Sequence, residues 1–341
     1  VTKTKKETDP MGYSTYSDDF YKDRVATRAA TGTPTFVHDA DIRAGKTAAK
    51  VHESLNIHGK IREARDSKEH PNSTPIAVIF DETGSMAGVP RIMQQKLPQL
   101  MGLLLRKAYI EDPQVLFGAI GDYTCGEVAP LQIGQFESGI EMDDNITHIF
   151  LEGGGGGSYE ESYQNALYFF AHRTKCDAFE KRGKRGYLFL IGDEMAYGLS
   201  TKAELQTLIG DGAQGDVSLD DIMTAVKEKW DVFFVIPKGT NHFGDKKLED
   251  FWKKHLGQNV IKLEDPEAIC EVIGAAIGIC EGTTTADALS ADLKDVGARD
   301  SIVHVATSSV DAIAKDRALA VTGSGGSLPA KTGRSDKNER L

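Results

Sequence analysis

The chain has 341 residues, 40% of them hydrophobic and 27% charged, with a formal net charge of -11. That composition belongs to a globular protein with enough chain for one large domain or two ordinary ones. The excess of acid argues against a nucleic-acid binder that works through a broad basic face, and no apolar run reaches the roughly 18 residues that a membrane span needs.

The polar opening around Lys3, Lys5, Lys6 and Glu7 has no apolar stretch behind it, so the expectation is no secretory leader and a cytoplasmic protein. Cys125, Cys176, Cys270 and Cys280 show neither CxxC spacing nor paired histidines nearby. They read as reduced, partly buried thiols.

Residues 1–70 form an arm. Tyr13, Tyr16, Phe20 and Tyr21 lie among polar residues, a turn follows at Thr31 to Pro34, and a charged helix is expected from Ile42 to about Glu69 on the weak periodicity of Val51, Leu55 and Ile61. From residue 71 to 283 apolar runs alternate with helical segments. Strands are expected at Pro75–Phe80, Val115–Ile120, Gly186–Gly192, Asp231–Ile236 and Asn259–Leu263, with an edge strand over Val128–Phe136. Helices are expected from Arg91 to Tyr109, kinked at Pro98, and over Glu161–Arg173 and Pro266–Cys280. This rhythm predicts an α/β fold, a doubly wound, mostly parallel sheet with helices on both faces. Residues 284–341 are rich in Ala, Asp, Ser and Gly and read as a flexible extension. Arm and extension carry few large aliphatics. They are expected to order only against other subunits or a partner, the alternative being that both wrap their own sheet domain.

In such sheets ligands bind outside the carboxyl ends of the strands. Those ends carry Asp81, Gly121-Asp122, Asp193-Glu194 and Pro237, so three of the four supply an acid. The sharpest motif is Asp81-Glu-Thr83-Gly-Ser85, directly after an apolar strand. It resembles the Asp-x-Ser-x-Ser motif of von Willebrand factor A domains, with Thr83 keeping the hydroxyl of the first serine. The resemblance extends over about Thr74 to Cys280 in the order of strands, helices and loops, and the whole chain is similar to stand-alone proteins of this kind from bacteria and their phages.

The resemblance implies one divalent ion, Mg²⁺ or else Ca²⁺ or Mn²⁺, held by three loops in a metal-ion-dependent adhesion site. Thr83 and Ser85 would offer hydroxyls, Asp81 would bind directly or through water, and Asp193 would supply the third loop. Hard ions favour such oxygen ligands and keep some of their waters. The second loop departs from the family, which has threonine there. Counting back from Ala166 puts Glu161 in that place, after the glycine run Gly153–Gly157, and Ser158 is the competing hydroxyl. A glutamate adds negative charge, which tightens metal binding and blunts the ion's pull on a partner's carboxylate.

Each motif has a plainer rival. Asp-x-Thr-x-Ser after a strand also suits a helix N-cap. The glycine run lacks the Gly-Lys-Ser/Thr of a phosphate loop. Asp122 reads as a turn residue, His148, His172, His242 and His255 as surface or loop residues, and Tyr168 to Phe170 as helix core. The function expected is a non-enzymatic, metal-dependent protein-binding or assembly protein. Its partner is a protein, docked through an acidic side chain at the metal, with homo-oligomers or a larger assembly such as a phage particle also in view. The alternative is a magnesium-dependent phosphatase or phosphotransferase of the haloacid-dehalogenase kind. That chemistry needs an aspartate two residues after the first, and Thr83 stands there.

Overall fold

The computed structural model describes residues 16–86, 88–154, 159–210 and 212–323. Six of the apolar runs form one sheet: β1 Thr74–Asp81, β2 Pro113–Ile120, β3 Leu131–Ile133, β4 Gly186–Ile191, β5 Trp230–Pro237 and β6 Val260–Leu263. Their order is β6-β5-β4-β1-β2-β3, parallel throughout except for β3, which runs antiparallel at the edge.

Alternation along each strand divides the core in two. Ile76, Val78 and Phe80 enter one cluster while Ala77 and Ile79 enter the other. A strand buried on both faces reads as an unbroken apolar run, which is why β1 shows no polar alternation.

The helices are α1 Asp18–Thr31, α2 Val37–Arg43, α3 Val89–Gln95, α4 Leu97–Met101, α5 Glu141–Thr147, α6 Tyr163–His172, α7 Leu219–Lys229, α8 Lys246–Leu256, α9 Ile269–Glu281, α10 Ala286–Asp295 and α11 Asp300–Gly323. Helices α6, α7 and α8 join one core cluster through Phe169, Val226 and Trp252. Helices α3, α4 and α9 join the other through Met93, Leu100 and Ile273. Tyr168, Phe169 and Phe170 are buried as expected.

Four local expectations change. The helix foreseen from Ile42 to Glu69 is absent. Only α2 is helical, Gly45 and Gly59 take positive φ, and Arg62–Ala64 makes a short parallel pairing with Thr174–Cys176. Leu55 and Ile57 are buried singly, in opposite core clusters, and so form no helical stripe. Helix α1 was not foreseen. Ser17 caps its start and Gly32, at φ 65°, ends it.

The long helix expected from Arg91 to Tyr109 breaks after Lys96 and ends in a wide turn over Gly102–Arg106. Pro98 has no N–H for a continuing ladder and sits at the start of α4 instead. Past Thr283, α10 and α11 pack on the sheet domain through Leu289, Leu293, Ile302, Ala306 and Val310.

Within the described residues the arm and the tail pack on their own chain, the alternative that the sequence left open. Tyr16, Tyr21, Phe36 and Leu55 of the arm are buried in the same chain's core. Arg24 and Arg28 pair with Asp143 at the start of α5, and the Tyr21 hydroxyl donates to the Gln94 carbonyl. Residues 1–15 and 324–341 lie outside the described residues. Among the described residues no helix is long and apolar enough to cross a membrane.

Candidate metal centre

After β1 the chain adds β2 on one side and later β4 on the other, so the loops leaving β1 and β4 face a common crevice. Asp81, the last residue of β1, is fully buried. Its Oδ1 accepts the Thr83 backbone N–H at 2.7 Å and its Oδ2 accepts the Tyr163 hydroxyl at 3.0 Å. A tight 3₁₀ turn over Gly84–Met86 follows. The Gly84 N–H reaches the Gly154 carbonyl at 3.3 Å, so the first loop rests on the glycine-rich second loop.

Glu161 arrives by another route. Glu160 and Glu161 pair in parallel with Met195 and Ala196, which fastens the second loop to the third. Glu161 is 1% exposed and its Oε2 has no hydrogen-bond partner. Its carboxyl is pushed far above the ordinary range, first by burial and then by the charges of Asp81 and Glu194. Glu194 is also raised, by burial and then by Asp81, and shares a hydrogen bond with Glu161. Asp81 is raised by burial, with Asp193 adding repulsion against its bonds to Thr83. Asp193 is fully buried and accepts the His242 backbone N–H at 3.2 Å.

The leading charges acting on Asp81, Glu161 and Glu194 are thus other carboxylates. Buried acids grouped without a countercharge are unfavourable unless protons or a cation neutralise them. The donor set is all oxygen, which suits a hard divalent ion, and the orphaned Glu161 Oε2 is an available ligand atom. Asp81, Thr83, Glu161 and Asp193 are brought together. The Ser85 side chain and Ser158 lie outside the described residues.

Two residues at this centre were not named as ligands from the sequence. Glu194 was visible as the second acid of the Asp193-Glu194 ending. Tyr163, two residues past Glu161, holds Asp81, and its hydroxyl passes so close to residue 192 that only glycine fits: a Cβ there would lie 1.8 Å from it.

Asp122 is a turn residue, as expected. It caps the 3₁₀ turn Tyr123–Cys125 and accepts from Thr124, Ser162 and Tyr197. His172 is exposed and His148 and His242 lie in turns, as expected, while His255 lies within α8. His148 stacks on His52 with ring centroids 3.9 Å apart, and the His255 side chain is largely buried.

A second acidic group lies beside the first. Glu82, Glu127 and Glu152 bring carboxylate oxygens within 4.8 Å of one another, closer than any other such trio among the described residues. No trio of the acids around Asp81 reaches that spacing. In the trio, Gln132 and the Glu152 N–H donate to Glu82, the Asp122 N–H donates to Glu127, and the Val128 and Ala129 N–H groups donate to Glu152.

No protein-family model and no curated protein matches the chain. Solved structures do match in part. The open conformation of the pilus adhesin SpaC from Lactobacillus rhamnosus GG aligns at 9% identity and a TM-score of 0.41, over 65% of this chain and 31% of the adhesin. Proximal thread matrix protein 1 from the mussel byssus aligns at 12% identity and a TM-score of 0.36, over 69% of this chain and 48% of that protein. The chain thus spans about a third of the one and half of the other. What is established is the class: a mixed α/β protein with a six-stranded, mostly parallel sheet flanked by helices.

Proposed function

We propose that the chain is a von Willebrand factor A-type protein with a doubly wound sheet, non-enzymatic, that binds a protein partner or an assembly at one divalent ion. The observation that carries this reading is the group of buried Asp81, Glu161 and Asp193 with the partly buried Glu194, in which the leading charges on Asp81, Glu161 and Glu194 are other acids and Glu161 Oε2 has no partner. Asp81, Thr83, Glu161 and Asp193 would hold the ion, with Ser85 or Ser158 adding hydroxyls. The ion would supply an electrophilic docking point for oxygen atoms of the partner.

The chain's own contribution is rigidity. Tyr163 and the Thr83 N–H fix both oxygens of Asp81, and the short pairing of residues 160–161 with 195–196 holds two loops in register. The haloacid-dehalogenase alternative gains nothing, because the residue two past Asp81 is Thr83, which is no general acid.

Titration calorimetry of the full chain with Mg²⁺ and Mn²⁺ tests the reading. One site is expected, lost in Asp81→Ala, and Glu161→Gln should weaken it more than Ser158→Ala because it removes a formal charge. Undiminished binding in Asp81→Ala would sink the assignment.

A further inference from the structure

We infer that Asp122 is a positioning residue of this centre. Its carboxylate closes one end of the short ladder that joins the second loop to the third, and so fixes where Glu161 stands relative to the Asp193-Glu194 ending. The inference rests on the divalent-ion reading above and goes beyond it by adding a residue that acts through others.

Two strands of two residues each make a marginal pairing on their own. Here Glu160 faces Met195 and Glu161 faces Ala196, and the Met195 N–H donates to the Tyr159 carbonyl at 2.9 Å. The next residues along the two segments are Ser162 and Tyr197, and both turn to one acceptor. The Ser162 hydroxyl donates to Asp122 Oδ1 at 3.3 Å and the Tyr197 hydroxyl to Oδ2 at 3.0 Å. One carboxylate thus stands where the next rung would lie, with an oxygen for each loop.

Asp122 can serve this way because it is itself held. It is fully buried two residues past β2, the strand beside β1, and its N–H donates to Glu127 at 2.6 Å. Oδ1 also accepts the Thr124 N–H and hydroxyl at 2.9 and 2.8 Å, and Oδ2 accepts the Cys125 thiol at 2.8 Å. The neighbouring Tyr123 N–H donates to the Ser162 hydroxyl at 3.1 Å, a second tie from the same turn. A turn needs only the bonds to Thr124. Those to Ser162 and Tyr197 reach 40 and 75 residues along the chain and serve the loops instead. Ligands set in place beforehand lose less freedom when an ion arrives, so a closed ladder favours binding.

The test uses two variants of the full chain that remove a hydroxyl and no charge, Tyr197→Phe and Ser162→Ala. Amide exchange at Met195, measured with chelator present, reports whether the ladder is closed, and calorimetric titration with Mn²⁺ reports the ion. Tyr197→Phe should quicken Met195 exchange about tenfold and weaken Mn²⁺ binding about threefold or more. Ser162→Ala, whose bond is longer, should act in the same direction by less. Tyr187→Phe is the control. It removes a hydroxyl bond of the same kind, to Glu281 at 2.7 Å, at the opposite end of β4. It should lower the urea midpoint and leave Mn²⁺ affinity as in the wild type.

Unchanged Met195 exchange in Tyr197→Phe overturns the inference, as does faster exchange with unchanged Mn²⁺ affinity, and in both cases the metal site stands. An equal loss of Mn²⁺ affinity in Tyr187→Phe overturns it too, by reducing the effect to general loosening. A wild type that binds no Mn²⁺ removes the divalent-ion reading itself, and the positioning role with it.

Discussion

Gly192→Ala is a perturbation whose cost is set by one distance. The new Cβ would lie 1.8 Å from the Tyr163 hydroxyl and 2.8 Å from its ring carbon Cζ. The ring has no direction in which to retreat. Tyr163 is fully buried, with Phe234 edge-on at 5.4 Å and Trp252 edge-on at 5.6 Å. The hydroxyl must therefore leave Asp81, and a well-packed core must absorb an extra carbon. Overpacking of that kind costs about 1–3 kcal/mol. A lost hydrogen bond to a charged or buried acceptor adds about 1.5–3 kcal/mol. Together they predict a destabilisation of about 3 kcal/mol or more, read as a lower urea midpoint at unchanged slope. Adding Tyr163→Phe removes the atom in closest conflict, so the double variant should be less destabilised than the sum of the two single changes. Strict additivity, or a Gly192→Ala protein within about 0.5 kcal/mol of wild type, would refute this account of how Asp81 is held.

Two further outcomes follow from buried charge. Lys96 pairs with Glu271, which is fully buried, and also donates to the Glu267 carbonyl. Lys96→Met should cost about 3–5 kcal/mol in urea unfolding, and the double change with Glu271→Met should recover most of it, because the loss comes from the stranded charge. In the arm, His52 is depressed to about 4, first by burial and then by the His148 and His38 rings, with Glu53 pulling it up and Lys50 down. Its folded value lies below the unfolded one of about 6.5, so the neutral ring contributes stability above that pH and loses it as pH falls toward 4. Asp144 faces His148 and opposes part of this loss. After allowance for solvent the effect is on the order of 1 kcal/mol. Hydrogen exchange over residues 37–54 should quicken as pH drops from 6 to 4, once intrinsic rates are divided out, and less so in His52→Gln. An equal change in both proteins would remove His52 from the explanation.

The sequence by itself determined the sheet. Strands buried on both faces must be apolar at every position, so β1, β2, β4 and β5 stand out as runs, and each parallel return demands an intervening helix. It also placed one acid at the end of β1 and a second two residues past β4, at the ends where such sheets bind ligands. Tertiary structure decided the rest. Nothing local shows that the Glu160–Glu161 pairing with Met195–Ala196 brings Glu161 to Glu194, because that contact spans the whole of α6 and β4. The Glu82, Glu127 and Glu152 trio joins three separate loops and was invisible for the same reason. The arm and the tail misled because their apolar residues are sparse. Tyr16, Tyr21 and Leu55 build no core alone, yet each finds a place in one already made by the sheet and its helices. Burial against an existing surface requires no periodicity in the segment that supplies it, and periodicity was the signal that sequence reading depended on.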